Sequence, residues 1–156
     1  MNKKVLKVLE FDKILALISE IAVCEQSKNT VLKLMPSGSF DEVLSLQKET
    51  SQASSMIAMF GSLPVAPVKS VAESVKRAEI GGILSPKELL NVGALLRVSR
   101  QVSSYLSKTE KFDILTSYGK QIVLNNRLAT DITDAIISEE IIADSASPQL
   151  AAIRRK

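Results

Sequence analysis

Few residues of this 156-residue chain could carry chemistry, and histidine is not among them. Without imidazole there is no Ser–His or Cys–His pair, no histidine general base and no histidine metal ligand. The single cysteine, Cys24, excludes a thiolate zinc site and an internal disulfide within the chain, and it fits a reducing compartment. It falls in a helical stretch beside Ile21 and Ala22, with no basic residue placed to lower its pKa. It therefore reads as a small half-buried hydrophobe rather than a nucleophile. Glu139–Glu140 with Asp144, and Asp131 with Asp134, are carboxylate sets of the type that hold Mg²⁺ or share a proton. Neither has a phosphate-binding loop or a nucleophile beside it, so both read as solvated helix faces.

Two further groups bear on phosphate. Gly81–Gly82 could line a glycine-rich loop, but it lacks the G-x-x-x-x-G-K-[ST] spacing and does not follow a strand, so a helix cap is the better reading. Arg97, Arg100, Arg154, Arg155 and Lys156, with the N-terminal lysines Lys3 and Lys4, could line a nucleic-acid surface. No stacking aromatic is interleaved with them and the net charge is only +3, so ordinary solvated charge is favoured. Residue by residue, no catalytic, cofactor-binding or metal-ligating position is assigned. The chemistry of the side chains points to a non-catalytic scaffold.

The elements that would position these residues read as helices almost throughout. Aromatic residues make up 4% of the chain against 46% hydrophobic overall, so the apolar mass is Leu, Ile, Val and Ala, which suits interdigitating helices. An all-α helical bundle follows, with residues 1–156 as a single helical domain. Phe11, Ile14, Ile18 and Ile21 form the first stripe, and Glu25–Lys28 kinks or breaks it. Val31 to Met35 form a short second stripe ended by Pro36. Ser39 and Glu42 form a capping box ahead of a heptad stripe of Val43, Leu46, Thr50, Ala53, Ile57 and Phe60, which predicts an antiparallel or coiled-coil-like partner. The face carrying Ser45, Lys48, Ser51 and Ser54 is read as solvated, and Gly61 stops the helix.

Arg77 to Leu89 is the most strongly punctuated stretch. A helix over 71–78 ends on Gly81–Gly82, and Ser85-Pro86-Lys87-Glu88 supplies an N-cap serine, a proline at the first helical position and a glutamate at the third. The helix it starts runs to Leu106, with an apolar arc wide enough for several partners. Beyond it, Phe112 to Gly119 predict a short helix or packed loop. Leu124, Leu128, Ile132 and Ala135 predict a helix with Asn125–Asn126 as a break. A short extended segment is expected near 140–144. Ser147–Pro148 opens a final helix, and the chain reads as truncated within it. No apolar run reaches the ~20 residues of a membrane span, and acidic residues interrupt the N-terminal stretch, so a cytoplasmic location is expected.

Three segments in register carry a family resemblance. They are Leu9-Glu10-Phe11-Asp12-Lys13-Ile14, Arg77-Ala78-Glu79-Ile80-Gly81-Gly82-Ile83-Leu84-Ser85, and Asp144-Ser145-Ala146-Ser147-Pro148-Gln149-Leu150 with Ile153–Arg154. In this order and spacing the chain resembles the N-terminal region of the bacterial MutS type-two proteins, which lack mismatch-reading front domains and begin with the helical core. Ser27–Lys28 and Glu139-Glu140-Ile141 depart from the family pattern and bear on local turn geometry. The resemblance implies an intact protein that is a homodimeric ATPase using ATP and Mg²⁺. It would bind branched DNA, cut it with a C-terminal nuclease domain and suppress recombination, and it would also act at collided ribosomes. The 156 residues would form the N-terminal half of the core and lever domain, with the phosphate loop, the Mg²⁺ site and the nuclease beyond Lys156. The alternative is a freestanding helical adaptor that binds one partner through the Val43–Phe60 stripe.

Overall fold

The computed structural model describes residues 3–155, and the side chain of Lys3 is not among the features described. Among the described residues the secondary structure is helical: α1 (Lys3–Val8), α2 (Phe11–Ile21), α3 (Glu25–Leu32), α4 (Phe40–Phe60), α5 (Ala72–Glu79), α6 (Pro86–Leu106), α7 (Asp113–Gln121), α8 (Asn126–Ala135) and α9 (Pro148–Arg154), with a 3₁₀ turn at Asp144–Ala146. The all-α reading holds. The helix breaks fall where local chemistry requires them. Gly61 (φ 77°) and Gly81 (φ 80°) take positive-φ conformations, open to glycine, that end α4 and α5, and Pro86 and Pro148 sit at helix starts. The Glu25–Lys28 stretch, read as a kink or a break, begins α3, and the break itself falls just before it at 22–24. Helix α1 was not anticipated.

The chain divides into two compact units, residues 1–67 with 102–121 and residues 68–101 with 122–156. In the first unit the core consists of Leu6, Leu15, Met56, Tyr105, Leu106 and Leu115. Met56, at 1% exposure, is its most enclosed side chain, a burial that contributes about 1.5–3 kcal/mol. The buried side of α4 is therefore centred on Gln52 and Met56 rather than on the heptad stripe, of which Leu46 and Ile57 remain about half exposed. Gln52 explains the choice. Its amide donates to the Asp113 carboxylate, and its Oε1 accepts from Ile114 N at 3.1 Å. Lys48 Nζ reaches the other Asp113 oxygen at 3.0 Å, so a face read as solvated holds the start of α7. At the far end of α4 the Tyr105 hydroxyl lies within hydrogen-bond reach of the carbonyls of Met56 and Gly61, tying α6 to the end of that helix.

The second unit packs on Ile132, Ile136 and Ala143. Gly93 in α6 lets Ile132 of α8 approach so closely that an added Cβ would stand 3.2 Å from Ile132 Cγ2. From Glu88 to Leu96 no residue of α6 is exposed, as the broad apolar arc implied. Asn125 starts α8 rather than breaking it, its Oδ1 accepting from Leu128 N at 3.0 Å. The extended segment expected near 140–144 is an isolated antiparallel bridge between Ile136 and Ile142, with Ala143 N donating to Ala135 O at 2.9 Å. Ser147 caps α9 through Leu150 N at 3.1 Å.

Candidate functional site

In the second unit the α5–α6 junction is the most densely bonded piece of surface chemistry. Gly82 N donates to Arg77 O at 2.8 Å and Gly81 N to Ala78 O at 2.9 Å, the paired bonds of a Schellman C-cap. Three residues on, Glu88 N donates to Ser85 Oγ at 3.4 Å, and Glu88 Oε2 accepts from both Ser85 N and Ser85 Oγ at 2.9 Å. The capping box is thus closed in both directions. The other Glu88 oxygen accepts from Ser74 Oγ at 3.0 Å and pairs with the Arg77 guanidinium. One carboxylate therefore ties the last turns of α5 to the first turn of α6. Every group involved is a structural hydrogen-bond partner, and none is a nucleophile or a base aimed at open space.

The second box, at Ser39, closes only halfway. Glu42 N donates to Ser39 Oγ at 3.4 Å, but the Glu42 carboxylate takes the Ser37 hydroxyl, while Ser39 N donates to Ser37 Oγ at 3.1 Å. Ser37 has intercepted both partners, a competition open to any serine two residues before a cap.

The remaining candidates are dispersed. Cys24 is half-buried, with Sγ 3.9 Å from Ala66 O. Asp131 pairs with Arg127 at 3.8 Å, Glu139 with Lys87 at 2.7 Å, and Asp144 with Arg154, which also donates to Ile142 O at 2.9 Å. Among the described residues no three Cys, Asp or Glu side chains gather closely enough to hold a metal ion. Arg97 and Arg100 line a cleft of about 200 Å³ between α6 and α8. Lys156 lies outside the described residues, as do Met1 and Asn2.

In the first unit two titrations are perturbed. The amide of Gln52 and then the ammonium of Lys48 hold the Asp113 carboxyl below its ordinary range, and the negative charge of Glu49 raises the Tyr118 phenol. Both groups lie at the surface, and neither adjoins a nucleophile. The same unit carries an open groove of about 850 Å³ walled by Phe11, Ile14 and Ile18 of α2, by Leu34 and Met35, and by Val43 and Leu46 of α4. The first half of the heptad stripe, Val43, Leu46 and Thr50, thus lines an open groove. A seven-residue periodicity marks a face that can be covered, and it does not say which face of the same helix the nearer neighbours take.

Comparison with known proteins gives this helical chain its relatives. No family model matches the chain. It is 40% identical over 160 residues to the Endonuclease MutS2 of Acetivibrio thermocellus, a match that takes in 100% of this chain and 20% of that protein. It is 37% identical over 158 residues to the Endonuclease MutS2 of Clostridium perfringens and 38% over 158 residues to that of Agathobacter rectalis, each match again covering 99% of this chain and 20% of the relative. The chain spans about a fifth of the length of the curated relatives it matches.

Proposed function

We propose that this chain, related from end to end to about a fifth of the MutS2 endonucleases, is the N-terminal part of the helical core of such a protein and serves it as a non-catalytic scaffold. The observation that carries the reading is the identity of 37–40% along the whole chain to proteins of that name. The residue chemistry agrees with it. The ion pairs and caps of the second unit, and the Gln52–Asp113–Lys48 cluster of the first, fix helices against one another. In this reading the parent protein is a cytoplasmic homodimer that uses ATP and Mg²⁺ held outside these residues. It binds and cuts branched DNA, suppresses recombination and also acts on collided ribosomes. The 156 residues would transmit nucleotide state between ATPase and DNA clamp as part of the core and lever domain.

The test pairs this chain with the polypeptide encoded by its uninterrupted reading frame. ATP turnover and cleavage of a four-way DNA junction are expected of the longer polypeptide and not of the chain alone. Turnover by the chain alone, above background in a clean preparation, overturns the scaffold reading. A second reading, a freestanding adaptor, draws on the open α2–α4 groove. A stop codon directly after Lys156, with a partner helix captured in that groove, would favour it.

A further inference from the structure

We propose that the cleft between α6 and α8 in the second unit is a phosphate-binding site, with the guanidinium groups of Arg97 and Arg100 and the side-chain amide of Asn126 as its donors. The assignment rests on these residues and does not depend on the scaffold reading. Positions 93, 96, 97 and 100 of α6 and 126, 129, 130 and 133 of α8 are each one helical face by spacing, and these two faces wall the cleft together with Asp134. The helices touch where Gly93 meets Ile132, and the polar residues face the space beside that contact.

The charge there is only partly compensated. Arg77, Arg127 and Arg154 each hold a carboxylate, whereas Arg97 and Arg100 form no ion pair or hydrogen bond among the described residues. Asp134 lines the same cleft without closing a pair with either, leaving an excess of one positive charge among the lining groups. Thr130 Oγ1 and Thr133 Oγ1 donate to their own helix, to Asn126 O at 3.1 Å and Ala129 O at 2.8 Å, so their protons are committed. The free donors are thus the two guanidinium forks and the Asn126 amide, the groups best matched to a tetrahedral oxyanion. A volume of about 200 Å³ equals about six waters, room for one phosphate with part of its hydration. Both arginines are exposed at the rim, so binding is expected to be weak and salt-sensitive.

A free phosphate and a nucleic-acid backbone offer the same chemistry, and two titrations of the 156-residue chain separate them. ¹⁵N-labelled protein is titrated with inorganic phosphate, with chloride at matched ionic strength as control, and separately with a short DNA duplex. Saturable shifts at Arg97, Arg100 and Asn126 are expected with phosphate. The same shifts with duplex at far lower concentration identify a backbone phosphate as the better ligand. Arg97→Gln and Arg100→Gln should each weaken binding at least about five-fold. Asp134→Asn should tighten it, and Arg127→Gln, which removes a charge outside the cleft, should leave it unchanged. Absence of saturable shifts with both ligands overturns the proposal. So does an Arg127→Gln effect equal to that of Arg97→Gln, since that would mark nonspecific attraction to net charge.

Discussion

Replacing Glu88 with alanine should cost the second unit about 2–3 kcal/mol. Its carboxylate accepts from Ser85 N and Ser85 Oγ at 2.9 Å each and from Ser74 Oγ at 3.0 Å, and it pairs with Arg77. Loss of the box contributes about 1 kcal/mol on cap energetics. The Ser74 hydrogen bond adds about 0.5–1 kcal/mol. The Arg77 pair adds about 0.5–1 kcal/mol, because Glu88 is only 25% exposed while the half-exposed Arg77 is discounted for solvent screening. For a chain of this length such a loss lowers the thermal midpoint by about 5–10 °C. Thermal unfolding of the 156-residue chain, followed by far-ultraviolet circular dichroism, reads it directly. Glu88→Gln keeps an acceptor for Ser85 N and gives up the charge opposite Arg77, so about half the loss is expected. A double-mutant cycle with Ser85→Ala isolates the box, with a coupling of about 1 kcal/mol expected if the two residues act as one cap. A Glu88→Ala midpoint equal to that of the unsubstituted chain would refute the reasoning. A coupling of zero would show that the box is not a unit, whatever the single losses.

Gly82→Ala should destabilise by about 1–3 kcal/mol, because its Cβ would stand 2.5 Å from Arg77 Cγ and 2.8 Å from Arg77 O, whereas Gly38→Ala meets open space and should be near neutral; urea unfolding of both variants compares them. Asp113, held low by Gln52 and Lys48, contributes stability that is present above the ordinary aspartate pKa and is lost as pH falls through the lowered value. Asp113→Asn should therefore flatten the acid limb of a urea-midpoint against pH curve below about pH 4, and an unchanged limb would mean that the contact does not hold α7 in solution.

How much of this was legible in the sequence depended on whether the deciding interaction was local. Gly81–Gly82, Ser85–Glu88, Asn125 and Ser147 act within three or four residues of themselves, and the helix boundaries they mark are where the spacing put them, apart from the side of the break on which Asn125 falls. The Ser39 box was misjudged by a single hydroxyl, because Ser37 lies close enough to compete for Glu42 and Ser39 N. The buried face of α4 was not legible at all. Its stripe of Val43, Leu46 and Ile57 is the more apolar side, yet Gln52 and Met56 are the residues enclosed. The reason lies 61 residues away, at Asp113, where a carboxylate and the Ile114 amide of α7 offer Gln52 a partner at each end of its side-chain amide. A buried glutamine is tolerated where both ends of its amide are satisfied, and no single-helix pattern announces that.

The same separation of scales explains why family membership could be read where chemistry could not. The junction at Ile80–Glu88 needs a left-handed residue at 81, no Cβ at 82, a hydroxyl at 85 and a carboxylate at 88, each for a bond measured within the junction. Such a string tolerates little substitution, whatever the rest of the protein does, so it carries identity in few residues. Ile80 and Ile83 obey no such demand. They are 85% and 92% exposed on that rigid turn, and nothing in the local bonding requires isoleucine at either place. The junction is thus fixed from inside by Gly81, Gly82, Ser85 and Glu88. Replacing Ile80 and Ile83 by serine should therefore leave the thermal midpoint of this chain unchanged, whereas a fall of several degrees would show that the chain itself packs on them.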